Sequence, residues 1–203
     1  GAKIGDKIGL IHHMIEKTDA ILIGGSMAFT FLKAQGIDVG ASLVDSENIQ
    51  VAKIILSKAK NNNTNIVLPV DVVAASKMSH DAPWRVANID QLDESEAGFD
   101  IGPETTMNFE MMLLDKKTII WNGPMGVSEI PSFSTGTQAI ASCIRDKTED
   151  GAISIVGGGD TASALKNIGI TDGFSHISTG GGAFLQLMCG KQLPALEALH
   201  EYA

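Results

Sequence analysis

Four apolar runs, each closed by glycine and followed by a helix-like stretch, constrain this chain more than anything else in it: "ILIGGSMAF", "IIWNGPMG", "SIVGGGDTA" and "HISTGGGAF". A short apolar run bounded by glycine reads as a buried strand. Helical stretches between successive strands then impose right-handed crossovers and a parallel sheet covered on both faces. With "IVLPV" added, the apolar strands number five, and the fold class is a doubly wound α/β domain with a mostly parallel sheet. Ligands of such sheets bind beyond the carboxyl ends of the strands, so the four glycine turns share one rim and one ligand.

The intervening segments support this order. Ile4, Ile8, Ile11 and Ile15 form the apolar stripe of an opening helix. The strand "AILIGG" leads into a helix from Met27 to Gln35, closed by Gly36. Periodicity makes Glu47 to Lys60 helical, ended by "NNNTN". Asp71 to Asp100 reads as irregular, with β-like pieces at "VVAAS" and "RVANID", a small edge sheet near Val72 to Ile89, and the acidic loop "DQLDESEAGFD". Pro103 suits the first position of a helix reaching Lys116. The strand "TIIW", a helix from Thr135 to Lys147, the strand "AISIV", a helix from Thr161 to Ile168, the short strand "SHIS", a helix from Ala183 to Cys189 and a terminal helix in "PALEALHEYA" complete the chain. No repeat and no Pro/Gly/Ser-rich linker divides the 203 residues, so 1–203 reads as one domain.

A net charge of −9 and a pI near 4.9 argue against nucleic acid or an anionic membrane as the main partner, and the chain has only two arginines, Arg85 and Arg145. These residues show neither an apolar run of membrane-spanning length nor a charged-then-apolar leader with a cleavage site, so neither a membrane span nor a signal peptide is expected. Cys143 and Cys189 lie in apolar stretches without metal-ligand spacing, which reads as buried free thiols in a reducing, cytoplasmic compartment. The chain starts at Gly1, as a fragment or processed form would.

The stretch "ISIVGGGDTASAL" sharpens the ligand. Glycines at a strand-to-helix turn expose the first helix amides to phosphate. The phosphate-loop pattern would put a lysine and a hydroxyl residue here; Asp160 and Thr161 stand in their place. Asp160 reads either as a helix cap or as a hard oxygen ligand for Mg²⁺ beside nucleotide phosphates. Thr161 reads as a cap or a phosphate contact. Lys3 and Lys7, four apart, share a helix face, either solvated or turned to the rim to neutralise a phosphoryl group. Gly157, Gly159 and Ala162 also satisfy the dinucleotide fingerprint, but the acid expected about 20 residues on is missing from "HISTGGG", which weakens an NAD reading. No histidine pair has metal-ligand spacing and no nucleophile elbow occurs. Met107, Met111 and Met112 read as core, and Trp121 as packing at a strand end.

"GAKIGDKI", "GGSMAFTFLKAQG", "LPVD", "WNGPMGVSE", "GGGDTA" and "STGGGAFL" together resemble, in order and spacing, the carboxyl-terminal nucleotide-binding domain of phosphoglycerate kinases, over essentially the whole chain. The resemblance implies a Rossmann-like three-layer α/β/α fold. It also implies reversible phosphoryl transfer between 1,3-bisphosphoglycerate and ADP, giving 3-phosphoglycerate and ATP in glycolysis, with Mg²⁺ as cofactor.

Residue by residue, it implies that Gly1, Ala2, Lys3 and Lys7 surround the nucleotide phosphates, Lys3 and Lys7 stabilising the transferred group. Gly24 and Gly25 would wall the adenine pocket, with Leu43 and Phe99 as its apolar lining. Asn122, Pro124, Gly126 and Val127 would form the turn along the nucleotide, and Glu129 would bind the ribose hydroxyls. Gly158, Gly159, Asp160 and Thr161 would make the phosphate and metal site, with Asp160 as the metal ligand. The helix start at Gly180, Gly181 and Gly182 would face the moving phosphoryl, Gly181 and Gly182 counting with the lysines as catalytic.

Two residues depart from the family pattern: Ser26 replaces a glycine, and Ser128 replaces a large apolar residue before Glu129. The family's amino-terminal domain, with its basic patch for phosphoglycerate, is not in these residues. The expectation is therefore a monomer that binds nucleotide, touches no nucleic acid or membrane, and turns over little alone. The alternative is a stand-alone nucleotide-binding module without catalysis.

Overall fold

The computed structural model describes residues 5–195 and 198. The elements, in chain order, are α1 (Ile8–Met14), β1 (Ala20–Leu22), α2 (Met27–Ala34), α3 (Ile49–Asn61), β2 (Asn65–Val67), β3 (Asp71–Ala75), β4 (Trp84–Asn88), β5 (Ala97–Ile101), α4 (Pro103–Leu113), β6 (Thr118–Asn122), α5 (Thr135–Glu149), β7 (Ile153–Gly157), α6 (Gly159–Asn167), β8 (His176–Ile177) and α7 (Gly181–Met188). They form a doubly wound, three-layer α/β/α fold.

All five apolar strands pair in parallel, as the crossovers require, in two pieces: β1 with β2, and β6-β7-β8 in that order. Between the pieces β1 and β6 face a cavity of about 560 Å³. It is lined mainly by apolar side chains, among them Ile11, Ile23, Met125 and Ile140. The Gly25 amide donates to the Met125 carbonyl at 2.8 Å and ties the carboxyl ends of the two pieces together. Two clusters carry most of the core. Ile11, Ile15, Ile23, Phe31 and Ile55 join α1, α2 and α3 to the first piece, while Phe109, Trp121, Ile140, Val156 and Leu165 join α4, α5 and α6 to the second.

The segment read as irregular with a small edge sheet holds that sheet, at "VVAAS" and "RVANID", and adds a third strand, β5. β3, β4 and β5 make an antiparallel sheet with β3 central. Its strands alternate as a two-faced sheet must: Val72 and Ala74 pack under Phe29 and Leu32 of α2, while Val73 and Ala75 pack with Ile130 and Phe133. β5 lies at the end of the stretch read as an acidic loop; its Asp100 is an acid in a strand with no alternating pattern to reveal it. A bulge between Val73 and Ala74 further blurs the period.

Three smaller expectations also change. The opening helix begins as a 3₁₀ turn at Gly5–Lys7, and Ile4 lies outside the described residues. Met107 and Met111 are 53% exposed, not core: α4 buries Thr105, Phe109 and Leu113 on its inner face, which turns the methionines outward. Cys143 and Cys189 are free thiols but only partly buried. Of the terminal "PALEALHEYA" stretch only Pro194, Ala195 and Ala198 are described, all helical.

Candidate functional site at the strand carboxyl ends

The rim is built from the turns after β1, β6, β7 and β8. Gly158 is the N-cap of α6, at φ +96, a conformation that a side chain would strain. Gly157 cannot carry a side chain either, because a Cβ there would overlap the Phe184 ring of α7. These two constraints press α7 against β7 and open the α6 amides to the rim. Asp160 sits exposed in the first turn of α6, and its carboxylate makes no cap bond and no ion pair among the described residues.

Thr161 is fully buried and faces inward. Its hydroxyl donates to the Gly157 carbonyl at 2.8 Å and accepts from the Gly123 amide at 2.6 Å. Thr161 therefore bolts the turn after β6 to the turn after β7.

Asn122, the last residue of β6, makes the second bolt. Its carboxamide nitrogen donates to the Gly157 carbonyl at 2.8 Å, and its carboxamide oxygen accepts from the Lys7 ammonium. The same ammonium lies 3.3 Å from the Asn122 carbonyl. Lys7 thus places a cation beside the Gly157–Gly159 turn. Gly181 and Gly182 open α7 on the neighbouring strand end, with Gly180 as its N-cap.

The residues expected along the base of a nucleotide form a separate junction. The Val127 amide donates to the Phe99 carbonyl at 2.9 Å, and the Phe99 ring lies 5.0 Å from that of Phe133. Met125 and Gly126 amides both donate to the Thr137 hydroxyl of α5, at 3.1 and 3.2 Å. Glu129 is exposed just beyond, after the buried Ser128. Gly24 and Gly25 abut this turn through Met125. Leu43 is 64% exposed, on the loop after α2. Pro124 lies partly buried inside the turn. Gly1, Ala2 and Lys3 lie outside the described residues.

Sequence reasoning passes over two residues of this junction. Asp100 is 3% exposed, accepts the Gly136 amide at 2.7 Å and the Ile101 amide at 2.9 Å, and touches the Cα side of Gly126. Burial pushes its carboxyl up to about 7, with the Gly136 and Ile101 amides pulling the other way. Thr137 is the other. Neither belongs to a glycine motif; the one signal available was an acid directly before "IGP".

A carboxylate with no partner among the described residues, beside exposed helix amides, suits a hard cation held mostly by water and phosphate oxygens. Among the described residues no group of three or more acidic, His or Cys side chains could hold a metal by itself. The donor set therefore fits Mg²⁺ carried on a nucleotide better than a resident metal.

The family model for phosphoglycerate kinase matches residues 1–191. The chain belongs to the phosphoglycerate kinase family. Phosphoglycerate kinases of Chlorobaculum tepidum and Prosthecochloris aestuarii are 48% and 50% identical to it over 201 residues, covering 99% of this chain and 51% of theirs. The solved phosphoglycerate kinase of Coxiella burnetii superposes with a TM-score of 0.95 at 44% identity, over 100% of this chain and 51% of that one. That of Pyrococcus horikoshii gives 0.84 at 30%, over 98% and 50%. The chain spans about half the length of the phosphoglycerate kinases it matches. Among the described residues no helix is long and apolar enough to cross a membrane.

Proposed function

We propose that this chain is the nucleotide-binding half of a phosphoglycerate kinase. It takes MgADP or MgATP on the glycine rim. With an amino-terminal domain of the kind the resemblance implies, it moves a phosphoryl group between 1,3-bisphosphoglycerate and ADP in glycolysis, a cytoplasmic role for a monomer. The observation that carries this is the Lys7–Asn122–Gly157 chain, which fixes a cation beside a strand-to-helix turn whose amides are open to phosphate.

Phosphoryl transfer asks little covalent chemistry of a protein; positioning and charge stabilisation do the work. The α6 amides hold phosphate oxygens, and the Lys7 ammonium offsets charge as it spreads over the transferring group. Gly181 and Gly182 bring the first α7 amides to the same group. Phe99, Gly126 and Val127 wall the base, and Glu129 reaches the ribose. Asp160 would hold Mg²⁺, which when bound neutralises adjacent phosphate oxygens.

Calorimetric titration of ADP into the chain, with and without Mg²⁺, tests this reading. Saturable binding that weakens without the metal, and that loses its metal dependence in Asp160→Ala, is expected. Absence of ADP binding under both conditions overturns it.

A further inference from the structure

We propose that Asp100 is a positioning residue for the base side of the nucleotide site: from β5 it caps α5, braces Gly126, and so sets the wall formed by Phe99, Gly126 and Val127. This rests on the nucleotide reading above.

Helix α5 lacks a cap of its own. Its N-cap residue, Ser134, turns its hydroxyl back to the Pro131 carbonyl at 3.0 Å and makes no cap bond to the helix. The first-turn amide of Gly136 donates instead to Asp100, which belongs to another element. A local serine or threonine cap would satisfy the same amide without burying a carboxyl. A cap supplied from β5 does what a local cap does not: it fixes the helix start relative to the strand that carries Phe99.

The connections converge on the wall. Residue 99 accepts the Val127 amide, residue 100 grips α5 and lies against Gly126, and Thr137 in the same first turn of α5 accepts the Met125 and Gly126 amides. Gly126 has no room for a Cβ, which would overlap the Asp100 carboxylate and the Phe133 carbonyl. A movement of Asp100 therefore moves Gly126. The phosphate side, built from Lys7, Asn122 and Gly157–Thr161, is bolted independently and shares no hydrogen bond with Asp100.

The ionised carboxylate accepts from both amides; protonation turns one oxygen into a donor that faces them. No charged side chain contributes to its titration: burial and the Gly136 and Ile101 amides account for it. Gly126, Phe133 and Gly136 around it are not ionisable; the titratable group on the paired strand β3 is Asp71, on the same face, whose carboxylate is turned to the Glu104 and Thr105 amides.

Two ligands separate the sides of the site. ADP contacts both, whereas magnesium tripolyphosphate contacts the phosphate side alone. For Asp100→Asn the expected result is an ADP affinity lowered about fivefold, the size of one net hydrogen bond, with tripolyphosphate affinity unchanged. The ratio of ADP to tripolyphosphate affinity in the wild-type chain, divided by the same ratio in Asp100→Asn so that protonation of the ligands themselves cancels, rises from pH 6 to pH 8. Equal losses for both ligands, or a quotient flat with pH, overturn the positioning role while leaving the nucleotide reading intact. Tripolyphosphate binding without ADP binding removes the base wall and this inference together. Failure to bind either ligand sinks the nucleotide reading itself.

Discussion

Replacing Asp100 by asparagine should make the protein more stable at neutral pH, by an amount that grows with pH. Asp100 is 3% exposed, and burial raises its carboxyl from 3.8 to about 7. Below pH 3.8 the group is protonated whether the chain is folded or not, so it adds no pH dependence. As pH rises from there to about 7, the unfolded chain ionises while the folded one keeps its proton, and stability falls. At about 1.4 kcal/mol per unit, a shift of roughly three units costs about 4 kcal/mol, and the loss is complete above pH 7. A domain of this kind has only about 5–15 kcal/mol in total, so the effect is large.

Urea unfolding followed by fluorescence, with Trp121 buried and Trp84 half-exposed, measures it at unit steps from pH 4 to pH 8. The stability of Asp100→Asn relative to wild type should climb with pH up to about 7 and then level off. Glu16, Asp38, Glu96, Asp115 and Asp150 are each held below the usual carboxylate range by a paired Lys or Arg. They contribute stability above their unfolded values that is lost as pH falls. Both proteins contain them, so they cancel in the difference. A difference that stays constant from pH 4 to pH 8 would refute the reasoning, because Asp100 would then titrate in the fold as it does in the open chain.

Other residues give sharper, smaller tests. Gly157→Ala forces a methyl into the Phe184 ring and should lower stability by about 1–3 kcal/mol, read as a drop in the urea midpoint. Thr161→Val leaves the buried Gly123 amide without its acceptor and should cost about 1–3 kcal/mol in the same assay; an unchanged midpoint would mean that the two turns are not bolted by this hydroxyl. Lys7→Ala should weaken both ADP and tripolyphosphate in calorimetry, unlike Asp100→Asn, since the proposed function puts the ammonium held by Asn122 on the phosphate side.

The parallel strands and the helices between them were legible because each strand is a short apolar run, four of the five closed by a glycine turn. β7 and β6 match their sequence signals to within a residue. β5 was not, because Gly98 and Asp100 break the period that marks a strand, and their reasons lie elsewhere in the chain. Gly98 leaves space for the Phe29 ring, and Asp100 caps a helix that starts 35 residues later. Met107 and Met111 misled for the opposite reason: an apolar side chain on a helix reads as core, yet the buried stripe of α4 runs through Thr105, Phe109 and Leu113.

At the site, the glycines and Asp160 announced themselves by pattern, whereas the residues that hold the pattern in place did not. Asp71 shows why this is general here. It accepts the Glu104 and Thr105 amides at 3.0 and 2.7 Å, capping α4 from β3 just as Asp100 caps α5 from β5, since the N-cap of α4 is Gly102 and has no side chain to offer. Two neighbouring strands of the small sheet thus each supply the missing cap of a helix in the α/β layers. A capping residue is recognisable in sequence only when it stands next to its helix. Moving the caps onto the small sheet hides them from pattern reading and joins that sheet to the layer carrying the ligand turns. The antiparallel sheet is therefore no appendage: through Asp100 it fixes the α5 start from which Thr137 holds the Met125–Gly126 turn.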